Sequence, residues 1–276
     1  MRCIVSMLCD PQRPACPVCG GVLLCRDGCY SLCGQGGYQD NVMIIKTNFY
    51  CVASEGNAIN DSSVNMEPEM KLFAGTESSW SLRALLCMEI AGIPPELRIF
   101  DLSNEESRRE LKHLSPTGRV PVLRDGDVVV YDSLSITEYL NESKPGLLYS
   151  AEAALRAEER SLCAELHSGF AEVRRQMPFV ASGETAPVVL SAEAEAEIER
   201  IGIIFATGRG GFYRGETPGA VDAFYSVMAY RLASYGVHFT GQAGHYQNAL
   251  TEWPLFRRSL SRLCPKKMSG GCCHRR

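Results

Sequence analysis

No run of apolar residues in this chain approaches the roughly 20 needed for a helix to cross a bilayer, so no membrane-spanning helix is expected. Charge of one sign is also lacking. With 28 Lys and Arg against 32 Asp and Glu, the net charge is -4. That balance gives neither nucleic acid nor an acidic membrane surface a general reason to bind. No secretory leader is expected, because the apolar stretch Ile4 to Leu8 is short and Asp10-Pro11 breaks it. A cytoplasmic, soluble protein is the resulting expectation. Nor is there a phosphate loop: Gly208-Arg209-Gly210-Gly211 lies between two helical segments and follows no strand.

Residues 1 to about 69 lack any sustained period of 2 or 3.6 and are rich in Cys, Gly, Asn and Ser. They read as a Cys-rich, disordered extension or a wrongly assigned start. Eight of the 13 cysteines fall in the first 51 residues. Cys16-Pro17-Val18-Cys19 looks superficially like half of a zinc knuckle, with Cys25, Cys29 and Cys33 behind it. The second pair has C-x3-C spacing and follows too soon for a zinc ribbon, so no metal is expected. Cys87 and Cys163 sit among apolar neighbours and read as small buried hydrophobes.

What the chain does have begins at Met70. Lys71 to Ala74 reads as a strand, and a helix follows with Leu82, Leu85, Leu86 and Ile90 on one face. Gly92 is placed to end that helix and Pro94-Pro95 to prevent its continuation. Leu97 to Leu102 reads as a second strand and Glu105 to Leu114 as a polar helix. Val120-Pro121-Val122-Leu123 is an apolar strand with a proline at its start. Asp125-Gly126 is the signal of a type I′ hairpin turn, and Val128 to Tyr131 is the return strand. Asp132-Ser133 opens a helix with Leu134, Ile136, Tyr139 and Leu140 as its apolar positions. An acid and a hydroxyl side by side at a helix start are suited to hold a charged amine and a carboxylate.

The order is strand, helix, strand, helix, strand, strand, helix, over a length that can bury one small core. Lys144-Pro145-Gly146 then makes a linker. Beyond it Leu155, Leu162, Leu166, Phe170, Val173 and Met177 form one apolar stripe ended by Pro178. Ile198, Ile201 and Phe205 mark another helix, and Val221 to Tyr235 a third. The expected division is 1–69 extension, 70–145 α/β domain, 150–263 all-helical domain and 264–276 frayed tail.

A βαβαββα unit with a strand-opening proline, followed by an all-α domain, resembles the glutathione transferase fold, whose first domain is thioredoxin-like. Glu77-Ser78-Ser79-Trp80-Ser81-Leu82-Arg83 looks like the serine-type active-site loop, and Val120-Pro121-Val122-Leu123 like the cis-proline strand. Asp132-Ser133 matches the acid-serine pair for the γ-glutamyl end of glutathione. Ala164 to Phe170 is similar to a bacterial-type cytosolic branch. Thr217-Pro218-Gly219-Ala220-Val221-Asp222 resembles a helix-capping segment of these folds, with Gly219 where Ser or Thr is common.

The resemblance implies glutathione as co-substrate. Its thiol, with a pKa near ~8.5 when free, must be held as thiolate to react. Ser78 matches the catalytic serine and Ser79 is the second choice; a hydroxyl donor at a positive helix terminus serves that end. Ser78, Ser79 and Ser81 are equally natural helix N-caps. Val120 and Pro121 would pair with the cysteinyl part, Asp132 and Ser133 with the γ-glutamyl part, and Arg119 with the glycyl carboxylate, for which His113 is a weaker candidate. His167, Phe170, Arg174 and Met177, at helical spacing, would line the electrophile cleft; the competing assignment is core for Phe170 and Met177, with His167 and Arg174 facing water. Asp222 is assigned to structure.

The implied activity is addition of glutathione to a small hydrophobic electrophile, or reduction of a peroxide, by a homodimer. A zeta-like cis-trans isomerase of a maleyl-type acid is an alternative, although that class has Ser-Ser-Cys where this chain has Ser78-Ser79-Trp80. A thiol-transferase of the omega type would need Cys at Ser78. A non-catalytic glutathione-transferase-like binding module is the alternative from outside the enzymes.

Overall fold

Strand β1 (Lys71–Gly75) is buried on both faces, and its alternating side chains enter two different cores. Leu72 and Ala74 point into the main core with Leu123, while Phe73 joins Val122, Phe100 and Leu111 in a smaller one. A strand covered on both sides needs no polar alternation, which is why its sequence shows none. The structure is a computed structural model that describes residues 70–181 and 185–264. These lie in one compact unit, Glu67–Arg276. The expectations for residues 1–69, their CxxC and any zinc there, and for the tail past Cys264, fall outside the described residues.

Helix α1 (Ser79–Ile90) follows β1, then β2 (Glu96–Phe100), α2 (Glu105–Leu114), β3 (Val122–Asp125), β4 (Val128–Tyr131) and α3 (Ser133–Ser143). The sheet order is β2-β1-β3-β4, with β1 and β2 parallel and the other neighbours antiparallel. This is the thioredoxin-like arrangement. Gly92, at φ +70, closes α1 as expected. Its N–H reaches Glu89 O at 3.1 Å and that of Ile93 reaches Met88 O at 2.9 Å, the paired bonds of a Schellman cap.

The all-helical part consists of α4 (Ala153–Ser168), α5 (Ala171–Gln176), α6 (Ala192–Ala206), α7 (Ala220–Ser234), α8 (Gly241–Glu252) and α9 (Pro254–Leu263). Nearly every residue of α7 is buried, so it is the axis of this half. Asp222 anchors its start. Its carboxylate accepts N–H bonds from Gly219 and Tyr213 at 2.8 Å each and the Tyr246 hydroxyl at 2.7 Å. A side chain at Gly219 would collide with Leu148 O at 2.8 Å, which explains why glycine replaces the usual capping hydroxyl. Ala220 N–H donates to that same Leu148 carbonyl at 2.8 Å, tying α7 to the segment after α3.

Two expectations are corrected. The hairpin turn is Gly126-Asp127, since Asp125 pairs with Val128, and only Gly126 has positive φ (+55). Positive φ at the first central position alone is the II′ sign pattern, not I′. The stripe from Leu155 to Met177 is not one helix, because Gly169 is extended and Phe170 is left-handed (φ 56, ψ 42). A Cβ at Gly169 would lie 2.8 Å from Glu165 O, so glycine is what permits the break there. Among the described residues no helix is long and apolar enough to cross a membrane, and no cluster of three His, Cys, Asp or Glu could hold a metal.

Candidate active site

The strand register puts the expected binding residues at one end of the sheet. Phe73 pairs with Val122 and Val122 with Tyr131. The exit of β1 toward Ser78, the entry to β3 at Val120-Pro121 and the exit of β4 at Asp132 are therefore neighbours. Gly75 is required in this corner, since a Cβ there would sit 2.6 Å from Leu102 and 2.9 Å from Val120. The Val120–Pro121 peptide is cis.

Ser78 is the N-cap of α1, accepting the Ser81 N–H at 3.2 Å. Ser81 Oγ in turn accepts the Gly75 N–H at 3.1 Å. Capping uses an acceptor lone pair of Ser78 and leaves its O–H free to donate, so cap and thiolate donor are compatible roles. Ser79, the first helical residue, is also buried. The backbone leading in is strained: Glu77 has φ +55, and its N–H donates to Cys264 Sγ at 3.3 Å. Cys264, assigned from sequence to the start of the tail, is thus the half-buried C-cap of α9 beside the serine loop. No periodic signal could have disclosed that contact, because the two residues are 187 positions apart.

Asp132 has φ +79 and ψ 138, a region that glycine visits far more readily. One carboxylate oxygen caps α3, taking N–H bonds from Leu134 at 2.8 Å and Ser135 at 3.4 Å. The other faces His167 Nε2 at 3.4 Å, an ion pair when the imidazole is protonated. Ser133 Oγ is fully buried and has no hydrogen-bond partner among the described residues. An unpaired hydroxyl at the positive end of α3 is placed to donate a hydrogen bond to a carboxylate.

His167 is where the helical part meets this corner. Its ring is edge-on to Trp80, with centroids 5.1 Å apart, and its Nδ1 is buried without a partner among the described residues. Trp80, Asp132 and His167 thus make one continuous wall. Phe170 is core, 5% exposed, as is Met177 at 1%. Arg174 turns inward, donating from Nε to Gly169 O at 3.0 Å and from Nη2 to Leu166 O. Arg119 is exposed, its backbone held by Ser115 Oγ, while His113 lies exposed in the last turn of α2. Cys87 and Cys163 are fully buried; burial pushes both thiols up, Cys87 to about 12, which leaves them protonated packing groups.

Comparison with known proteins follows this geometry. Residues 77–143 match the family model described as glutathione S-transferase, N-terminal domain. A stringent starvation protein A homolog from Haemophilus ducreyi is 24% identical over 211 residues, covering 75% of this chain and 96% of that protein. Glutathione S-transferase 4 of Zea mays is 38% identical over 84 residues, covering 29% of this chain and 37% of its own length. Among solved structures, a glutathione transferase homolog from Burkholderia, with bound glutathione, aligns over 71% of this chain and 97% of its own. The TM-score is 0.55 at 19% identity, a likeness of fold.

Proposed function

The chain belongs to the glutathione S-transferase family, and from that premise we propose that it binds glutathione and activates its thiol for transfer. The observation that carries this is the coincidence, at one end of the sheet, of a capping Ser78 and a buried Ser133, neither of whose hydroxyls donates to a group among the described residues. Glutathione would lie along Val120-Pro121, its γ-glutamyl carboxylate on Ser133 and the α3 N-terminus, its amine on Asp132. Arg119 is the cation for the glycyl end. The thiol would come to the start of α1, where the Ser78 O–H and the helix dipole stabilise negative sulfur. Deprotonation transfers the thiol proton to solvent. The thiolate then attacks an electrophile bound beside Trp80 and His167. With a small hydrophobic compound it adds to an enone or expels halide from an aryl halide. With a hydroperoxide the O–O bond breaks to give the alcohol and a glutathione sulfenic acid, which a second glutathione converts to disulfide and water. We place this activity in a cytoplasmic homodimer.

A second reading has its own support. The stringent starvation protein A homolog aligns along 96% of its length, whereas the maize transferase aligns along 37% of its own. A binding module of glutathione-transferase fold would share the pocket without turnover. Calorimetric titration with glutathione, alongside turnover on a panel of aryl halides, enones and hydroperoxides, separates the two. Binding together with glutathione conjugation or peroxide reduction is expected. Binding with no turnover on any class would favour the module.

A further inference from the structure

Arg83 has an unusual environment for a cation. It points from α1 into the helical half at 1% exposure, and its Nε and Nη1 have no hydrogen-bond partner among the described residues. Its guanidinium carbon lies 4.5 Å from the Trp80 ring centre and 5.2 Å from that of Phe224. Arg174, from α5, stands 5.1 Å from the same Trp80 ring. Arg231, from α7, is 4% exposed, with Nη1 donating to Met177 O at 2.6 Å and Nε unpartnered among the described residues. Arginine is therefore contributed by three helices to one buried region.

The strongest charges acting on Arg83 are the like-charged Arg174 and Arg231, followed by the Cys163 thiol and the Tyr225 phenol. Glu197 is the carboxylate that acts on Arg174, and its oxygens already accept the Glu172 and Val173 N–H groups at 3.3 and 2.8 Å. Burial first, then repulsion from the other arginines, lowers Arg83 to about 9 and Arg231 to about 10, so both remain cationic at neutral pH. Aromatic faces offset part of the desolvation cost of such cations, but like charges add to it. An anion would complete the arrangement. The cluster has an open margin: Arg174 and Trp80 are half-buried, and Arg174 Nη1 donates to no group among the described residues. Through the Trp80–His167 contact, that margin adjoins the corner holding Asp132.

We propose that Arg83, Arg174 and Arg231 form a subsite for a carboxylate carried by the electrophile, with Arg174 touching it and the other two supplying a positive field behind. The assignment of that ligand as electrophile rests on the transferase reading; the anion site itself does not. The substrate class it selects is an acidic electrophile, with its reactive carbon toward the thiol and its carboxylate toward α5 and α7.

The test is calorimetric titration of the full chain, at low ionic strength and neutral pH, with succinate and with its uncharged analogue succinamide, with and without saturating glutathione. Succinate is expected to bind at least tenfold more tightly than succinamide. Arg174→Gln should weaken succinate tenfold or more, and Arg174→Lys should retain part of the affinity. Glu197→Gln, which removes the opposing charge, should tighten succinate severalfold. A merely structural role for these residues would move both the Arg174→Gln and Glu197→Gln variants in the same direction, and that result would overturn the proposal. Equal affinity for the two probes would overturn it too, as would displacement of succinate by glutathione, which would assign the arginines to the glutathione site. Succinate binding without any glutathione binding would instead uphold the anion site and remove the transferase reading.

Discussion

Ser78 does two things with one hydroxyl. Its oxygen accepts the Ser81 N–H, and the hydrogen this leaves uncommitted is the one a thiolate needs. Ser78→Ala removes both. Turnover should fall roughly ten- to hundredfold, the size of one charge-assisted hydrogen bond, and stability by about 1 kcal/mol from the lost cap. Glutathione affinity, which the proposal assigns to Ser133, Asp132 and Arg119, should change little. Steady-state kinetics, urea denaturation and calorimetry read the three quantities separately. If Ser79→Ala has this effect and Ser78→Ala does not, the hydroxyl is assigned to the wrong serine. Sequence alone could not separate these roles, because serine is chosen for caps and for hydrogen-bond donation alike. Arg83 is the sharper case: a family motif marks its position, but nothing in its neighbours along the chain says that it turns inward to meet Arg174 and Arg231.

At the scale of elements, local chemistry was legible wherever the determining contact is local. Gly92 closing α1, Asp132 opening α3 and the βαβαββα order all follow from residues a few positions apart. The break between α4 and α5 was not found, since the apolar spacing persists through it and every stripe residue from Leu162 to Met177 is indeed buried. The signal was Gly169 in mid-stripe, next to a carbonyl that leaves no room for a Cβ. Asp222 shows how an element end can set stability. Burial raises its carboxyl from 3.8 to about 6, against the hydrogen bonds that favour the charged form. The folded state thus holds this proton more tightly than the unfolded chain. The resulting stabilisation is full below about pH 4 and is lost as pH rises through about 6. Asp222→Asn should cost about 1–3 kcal/mol through an unmatched Gly219 N–H. The gap between wild type and variant should be wider at pH 4.5 than at pH 7. Urea denaturation of the pair across that range checks the sign, and a gap that widens toward neutral pH would contradict it.

Over the whole described molecule, α1 is the shared part. It packs against α3 on the thioredoxin-like side and against α7 and α9 on the helical side. Ala220 N–H on the Leu148 carbonyl adds a backbone tie between the halves. A helix buried in one core that both halves share couples their unfolding, so the two halves should melt together. Trp80 and Trp253, the chain's two tryptophans, report on them separately. Single-tryptophan variants (Trp253→Phe and Trp80→Phe) should give coincident fluorescence transitions in urea; two resolved midpoints would show that the halves unfold independently.

The same union sets His167 of the helical half against Trp80 of α1 at the mouth of the proposed glutathione corner, and the central claim concerns what happens to a thiol placed there. The direct measurement is ultraviolet thiolate absorbance of glutathione bound to the full chain, followed across pH. An activating site predicts ionisation well below the free thiol's ~8.5, returning toward that value in Ser78→Ala. Binding with no displacement of the thiol pKa would contradict the account and leave a ligand-holding module.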